Sequence, residues 1–178
     1  QTGNHNVMNA LSCIAAAYHV GILPTDAIDA LNRFEGVKRR MELVADAKGI
    51  KAYDDFAHHP TAIKSTLAGI KLTGDFKRVW AVIEPRSNTM RMGVHRDALP
   101  ASVEDADDIL WFQPKGLDWD IEGVVEQCNQ QGHKSVLFDD IDAIIAHLVE
   151  KAEAGDAIVL MSNGGFGGIH QKLLNALD

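Results

Sequence analysis

The run Val79-Trp80-Ala81-Val82-Ile83 is apolar at every position, so a strand there has to be covered on both faces. Similar runs recur at Ile109-Leu110-Trp111-Phe112, Val136-Leu137-Phe138 and Ala157-Ile158-Val159-Leu160-Met161. Segments with apolar residues at helical spacing separate them. They carry Ile63, Leu67 and Ile70; Ile121, Val124, Val125 and Cys128; Ile141, Ile144, Ile145, Leu148 and Val149; and finally Ile169, Leu173 and Leu177. Doubly buried strands alternating with amphipathic helices predict an α/β fold, a Rossmann-like open and mostly parallel sheet with helices on both faces.

The first third of the chain has a different texture. Val7, Met8, Leu11, Ile14, Ala15 and Tyr18 repeat at helical spacing and predict a helix over 6–18 that ends near Gly21. Pro24-Thr25-Asp26 opens a second, short helix with Ile28 and Leu31, closing at 32–36. A β-hairpin follows, with Met41-Glu42-Leu43-Val44-Ala45 and Ile50-Lys51-Ala52-Tyr53-Asp54-Asp55 joined by a turn over 46–49. The chain starts Gln1-Thr2-Gly3 and runs at once into helix-like sequence, which predicts a piece of a longer protein.

Charge and cysteine content narrow the class of partner. Seventeen Lys and Arg stand against 25 Asp and Glu, a net charge of −8, which disfavours non-specific binding to nucleic acid or an anionic membrane but permits a local basic pocket. Cys13 and Cys128 lie far apart and form no metal-binding pair, and no apolar run approaches the roughly 20 residues that span a bilayer. A reducing, cytoplasmic setting is expected.

Ligands of open α/β sheets bind beyond the carboxyl ends of the strands. Four polar clusters fall there: Asp54-Asp55-Phe56-Ala57-His58-His59-Pro60, Glu84-Pro85-Arg86-Ser87-Asn88-Thr89, Gln113-Pro114-Lys115 and Ser162-Asn163-Gly164-Gly165. The first admits three readings. It is a metal site of Asp and His; a capping element in which Asp54 caps the following turn and His58-His59 cap the helix behind Pro60; or a phosphate or ribose site. The glycine-rich stretch 163–170 misses the dinucleotide fingerprint because His170 stands at the third glycine position, so a tight strand-to-helix turn is expected. No Gly-Lys-Ser/Thr phosphate loop is present. His5, Asn6 and Asn9 open the first helix as caps or as an adenine-reading edge, and Arg39-Arg40 form a solvated basic face or a ligand clamp.

The order and spacing of Gly3-Asn4-His5-Asn6-Val7-Met8-Asn9-Ala10-Leu11, Phe34-Glu35-Gly36-Val37-Lys38-Arg39-Arg40-Met41-Glu42 and Asp54-Asp55-Phe56-Ala57-His58-His59-Pro60 resemble the Mur ligase family. Residues 84–89 look most similar to the loop of the member that adds the tripeptide L-alanyl-γ-D-glutamyl-meso-diaminopimelate; the alanine-adding member is the alternative. The resemblance implies that residues 1–34 end a central ATPase domain and that 35–178 form the C-terminal domain. It further implies an ATP- and Mg²⁺-dependent ligase acting on UDP-N-acetylmuramate in peptidoglycan recycling. Most Mg²⁺ ligands and the phosphate loop would lie in upstream domains, no metal ligand is assigned in this chain, and the chain alone would be inactive.

Carried over by resemblance, His5, Asn6, Asn9, Arg40 and Asp55 face the nucleotide, with His5 belonging to the motif without an assigned role. His58 and His59 stand near the incoming amine as the candidate catalytic residues. Arg86, Ser87, Asn88 and Thr89 form the substrate loop, and Lys115 stands where a relative carries an arginine for a diaminopimelate carboxylate. A non-catalytic nucleotide- or peptide-binding module is the alternative of a different class.

Overall fold

The computed structural model describes residues 3–117 and 119–177. Gln1, Thr2, Asp118 and Asp178, which fall within the expected domain spans, lie outside the described residues.

The chain opens with α1 (Asn4–His19) and α2 (Pro24–Asn32). These helices pack on one another. No residue of α1 is buried, and its stripe of Val7, Met8, Leu11 and Tyr18 is exposed. The antiparallel hairpin follows as β1 (Glu42–Ala47) and β2 (Ile50–Asp55). Its turn is tighter than expected. Ala47 pairs with Ile50, leaving a two-residue loop in which Lys48 and Gly49 both have positive φ (51° and 78°), the backbone that matches the twist of a hairpin.

Beyond the hairpin, helices and parallel strands alternate. α3 (Pro60–Lys71) leads to β3 (Val79–Ile83), and after two short helices, α4 (Asn88–Arg91) and α5 (Leu99–Ser102), to β4 (Asp108–Phe112). Then come α6 (Glu122–Gln130), β5 (Lys134–Phe138), α7 (Ile141–Lys151), β6 (Ala157–Met161) and α8 (Ile169–Leu177). The six strands lie in the order β1-β2-β6-β3-β4-β5, all parallel except β1.

Side-chain alternation builds two apolar layers from this one sheet. Val79, Ala81 and Ile83 pack with Ile63, Leu67, Ile121 and Val124 on one side. Trp80 and Val82 pack with Ile144, Leu148, Ile169 and Leu173 on the other. The expected doubly covered, mostly parallel sheet is therefore present. Two details were not legible: α4 and α5 are too short to show a period, and β5 begins at the exposed, polar Lys134.

The return of β6 to a place between β2 and β3 creates the site. Asp55, Met161 and Ile83 sit in register at the carboxyl ends of these three strands. At about 4.8 Å per strand, residues following β2 and β3 start about 10 Å apart, with the loop after β6 between them.

Candidate functional site

Asp54 and Asp55 end β2 on opposite faces, as the pleat requires. Asp55 is buried; its Oδ2 accepts from the Met41 backbone N–H (2.9 Å), and its Oδ1 from the Ala57 N–H (2.8 Å) and the Thr66 hydroxyl (3.4 Å). Burial pushes its carboxyl above the usual carboxylate value, against the pull of those N–H donors and the Arg40 charge. The turn-capping role expected of Asp54 thus belongs to Asp55. Asp54 instead accepts from Arg39 Nε at 3.1 Å, and its Oδ1 faces His170 Nε2 at 3.1 Å without an aligned hydrogen bond. Burial opposes its ionisation, but His170 and Arg39 together outweigh it and hold the carboxyl below its usual range.

Arg39 is not the solvated face that its sequence context suggested. Its Nη2 donates to the Ser162 carbonyl (2.5 Å) and the Gly164 carbonyl (2.8 Å), and its guanidinium lies 5.1 Å from the Phe56 ring centroid. Arg39 and Met41 both have positive φ (58° and 52°), which costs a non-glycine residue about 1–2 kcal/mol each. Three bonds hold this conformation: Arg39 N–H to Glu42 Oε2, Phe56 N–H to the Arg39 carbonyl, and Met41 N–H to Asp55. The effect is to point Arg40 away from Arg39's loop contacts and into a groove.

That groove, about 1290 Å³, runs from the start of α1 and the β2–α3 junction along β2 to Gly49 and Gly155. His5, Asn6 and Asn9 line one wall; Arg40, Asp55 and Thr66 line the other. All five residues expected to face a nucleotide therefore share one cavity. The capping reading of the first three does not hold: the N-cap of α1 is Gly3, with no side-chain cap bond. A smaller groove of about 330 Å³ adjoins, sharing His5, Arg40 and Thr66 and adding His59.

The two histidines use Nδ1 in opposite ways. His58 Nδ1 donates to the Phe56 carbonyl at 2.9 Å, so that nitrogen carries the proton. His59 is the N-cap of α3; its Nδ1 accepts from the Thr61 N–H at 3.3 Å, and its ring sits 4.3 Å from that of His95. The capping expectation holds for His59 and fails for His58. Among the described residues, no group of three or more His, Cys, Asp or Glu could hold a metal ion.

At the end of β3, buried Glu84 accepts a short hydrogen bond from the Ser162 hydroxyl, whose oxygen in turn accepts from the Gly164 N–H (2.9 Å). Arg86 is exposed and lies across the backbone of Gly164. Ser87 caps α4 by accepting from the Met90 N–H, while Asn88 and Thr89 are exposed on its first turn. Lys115 is exposed beside Gly116, whose carbonyl accepts from Arg91 Nη2 at 2.7 Å, so its loop is tied to α4. The glycine-rich stretch forms the tight strand-to-helix turn expected. Phe166, Gly167 and Gly168 all have positive φ, and a side chain at Gly167 would run into Ile141.

The sequence places Arg39, Glu84, Ser162 and His170 at strand ends and turns but gives no sign of their bonds to one another, and nothing in it marks His95.

Comparison with known proteins places the chain in a family. The family described as "Mur ligase, glutamate ligase domain" matches residues 39–164. The UDP-N-acetylmuramate--L-alanyl-gamma-D-glutamyl-meso-2,6-diaminoheptandioate ligase of Escherichia coli (strain K12) is 49% identical over 98% of this chain, and the UDP-N-acetylmuramate--L-alanine ligase of Solibacter usitatus is 32% identical over 98%. In both cases the chain spans only 38% of the relative's length. The crystal structure of a murein peptide ligase from Psychrobacter arcticus 273-4 superposes with a TM-score of 0.75 at 50% identity, over 99% of this chain and 38% of that one. With more than two thirds of its residues matched and the same fold, the chain belongs to the Mur ligase family.

Proposed function

We propose that the chain is the nucleotide-capping and amine-substrate-binding part of a ligase that joins L-alanyl-γ-D-glutamyl-meso-diaminopimelate to UDP-N-acetylmuramate, in the cytoplasm, during peptidoglycan recycling. The observation that carries this reading is the convergence of His5, Asn6, Asn9, Arg40 and Asp55 on one groove. The relatives with 49% and 44% identity bear the name of the tripeptide-adding enzyme, whereas the alanine-adding relative from Solibacter usitatus is 32% identical. In this reading residues 1–34 close the central domain and 35–178 form the C-terminal domain. The exposed apolar stripe of α1 is then the surface on which the rest of the central domain packs.

The residues present fit a nucleotide. Asn6 and Asn9 offer paired donor and acceptor groups to an adenine edge; Asp55 retains acceptor capacity for ribose hydroxyls; and Arg40 supplies a positive charge. ATP would supply the phosphoryl group that activates the muramyl carboxylate, with most of the Mg²⁺ ligands in the upstream domains. This chain's residues bind and orient. Arg86, Ser87, Asn88, Thr89 and Lys115 position the incoming peptide through its carboxylates and amide groups. His58 and His59 lie toward the amine, His59 with Nδ1 unprotonated and beside the nucleotide groove. Since the chain has no Gly-Lys-Ser/Thr phosphate loop, it is inactive by itself and needs closure onto the upstream domains.

The test is ATP-dependent ligation by the full-length protein, with UDP-N-acetylmuramate and either the tripeptide or free L-alanine, read as product mass. A tripeptide adduct is expected. An alanine adduct alone moves the assignment to the alanine-adding branch, and no adduct from folded protein leaves a binding module.

A further inference from the structure

Arg86 reaches its position only because residue 164 has no side chain. A Cβ built on Gly164 would stand 2.5 Å from Arg86 Cδ and 2.6 Å from Cζ, and closer still to Nη1, far inside van der Waals contact. The obstacle is the guanidinium and not the backbone, because φ at Gly164 lies outside the left-handed region. Adjacent Gly165 supplies an internal control: a Cβ there meets nothing within 4 Å.

Gly164 is itself held from two sides. Arg39 binds its carbonyl and that of Ser162, and the Glu84-bound Ser162 hydroxyl accepts from its N–H. The platform under Arg86 is therefore fixed at both peptide groups.

We propose that Gly164 is a specificity-determining position, whose missing side chain seats the Arg86 guanidinium across a fixed backbone platform and aims it at a carboxylate of the incoming peptide. This rests on the reading of the Arg86 loop as substrate-binding. Arg39 and Glu84 act as positioning residues through the platform and touch no substrate. A side chain at residue 164 would push the Arg86 guanidinium off this position, so a carboxylate would then meet an arginine that is not held ready for it.

The experiment uses steady-state kinetics of the full-length protein with the tripeptide as amine substrate. Gly164→Ala should raise the tripeptide KM by about 10- to 100-fold, the value of one charge-assisted contact, while leaving the ATP KM unchanged. Gly165→Ala should leave both unchanged. Arg86→Ala should raise the tripeptide KM to a similar degree, and adding Gly164→Ala to it should cost nothing more, since the obstructing group is gone. That double variant also covers the case in which Gly164→Ala alone misfolds. Arg86→Ala with an unaltered tripeptide KM overturns the substrate reading and this proposal with it. If Arg86→Ala impairs the tripeptide but Gly164→Ala does not, only this proposal falls. Additive effects in the double variant, a double variant that does not fold, or an equal rise in the ATP KM also overturn it.

Discussion

Replacing Arg39 by methionine keeps an aliphatic stem over the Phe56 ring and removes the guanidinium. Three hydrogen bonds go with it: one to Asp54 and two to the carbonyls of Ser162 and Gly164. A hydrogen bond to a charged group contributes about 1.5–3 kcal/mol. The Arg39 side chain is 30% exposed, so water replaces part of the loss, and Asp54 keeps His170 beside it. The three bonds also share one donor group and do not add independently, which brings the expected cost to about 2–4 kcal/mol. For a chain of this length that lowers Tm by about 4–16 °C. Arg39→Lys should recover little, because one ammonium cannot replace a fork that spans a carboxylate and two carbonyls. Acid dependence gives a second readout. The Asp54 carboxyl is held low in the folded state, so its stabilisation is present above the unfolded value of about 3.9 and disappears as pH falls through the folded value. Arg39→Met should shrink that acid-side loss. Urea unfolding at a series of pH values measures both effects. A cost below about 1 kcal/mol, or full recovery by lysine, would refute the clamp.

Two further predictions concern Asp156 and Asp55, also buried acids. Asp156, with a side chain 1% exposed, accepts from the Trp80 indole, the Glu153 N–H and Arg78 at the start of β6, the opposite end of the sheet from Asp55. Asp156→Ala should cost about 3–5 kcal/mol by urea unfolding, with ligation by the folded fraction unchanged; a loss of turnover in that fraction would contradict the placement. Asp55 shows the reverse sign: burial raises its folded pKa, so its stabilisation is full below about 3.9 and is lost as pH rises through the folded value. Asp55→Asn relieves the buried charge but turns an NH2 toward the Met41 or Ala57 N–H, so it should cost about 1–3 kcal/mol at neutral pH while raising the ATP KM about tenfold or more. A large stability loss with an unchanged ATP KM would count against Asp55 as a ribose ligand.

The alternation of apolar runs with amphipathic helices was enough to predict the doubly covered sheet, because burial on both faces leaves no polar position in strands such as Val79–Ile83. The same argument is silent on α4, whose four residues are placed by the Ser87 cap and the Trp119 and Arg91 contacts that follow it. His5, Asn6, Asn9, Arg40 and Asp55 were singled out only through the family resemblance, and the structure puts them along one groove. The clamp was not legible. Arg39 and Arg40 are adjacent and chemically identical, and what separates them is a left-handed backbone at Arg39, imposed by bonds to Glu42 and Phe56. Likewise Asp54 and Asp55 look like one acidic pair, but the pleat sends one to Arg39 and the other into the groove.

The central claim is that the start of α1 and the β2–α3 junction form one nucleotide site. Photolabelling the full-length protein with an azido-adenine nucleotide, followed by peptide mapping, tests it directly. Label on peptides carrying Asn6 and Asn9 or residues 34–43, suppressed by excess ATP, is the result this account predicts. Label confined to peptides outside this groove would contradict it.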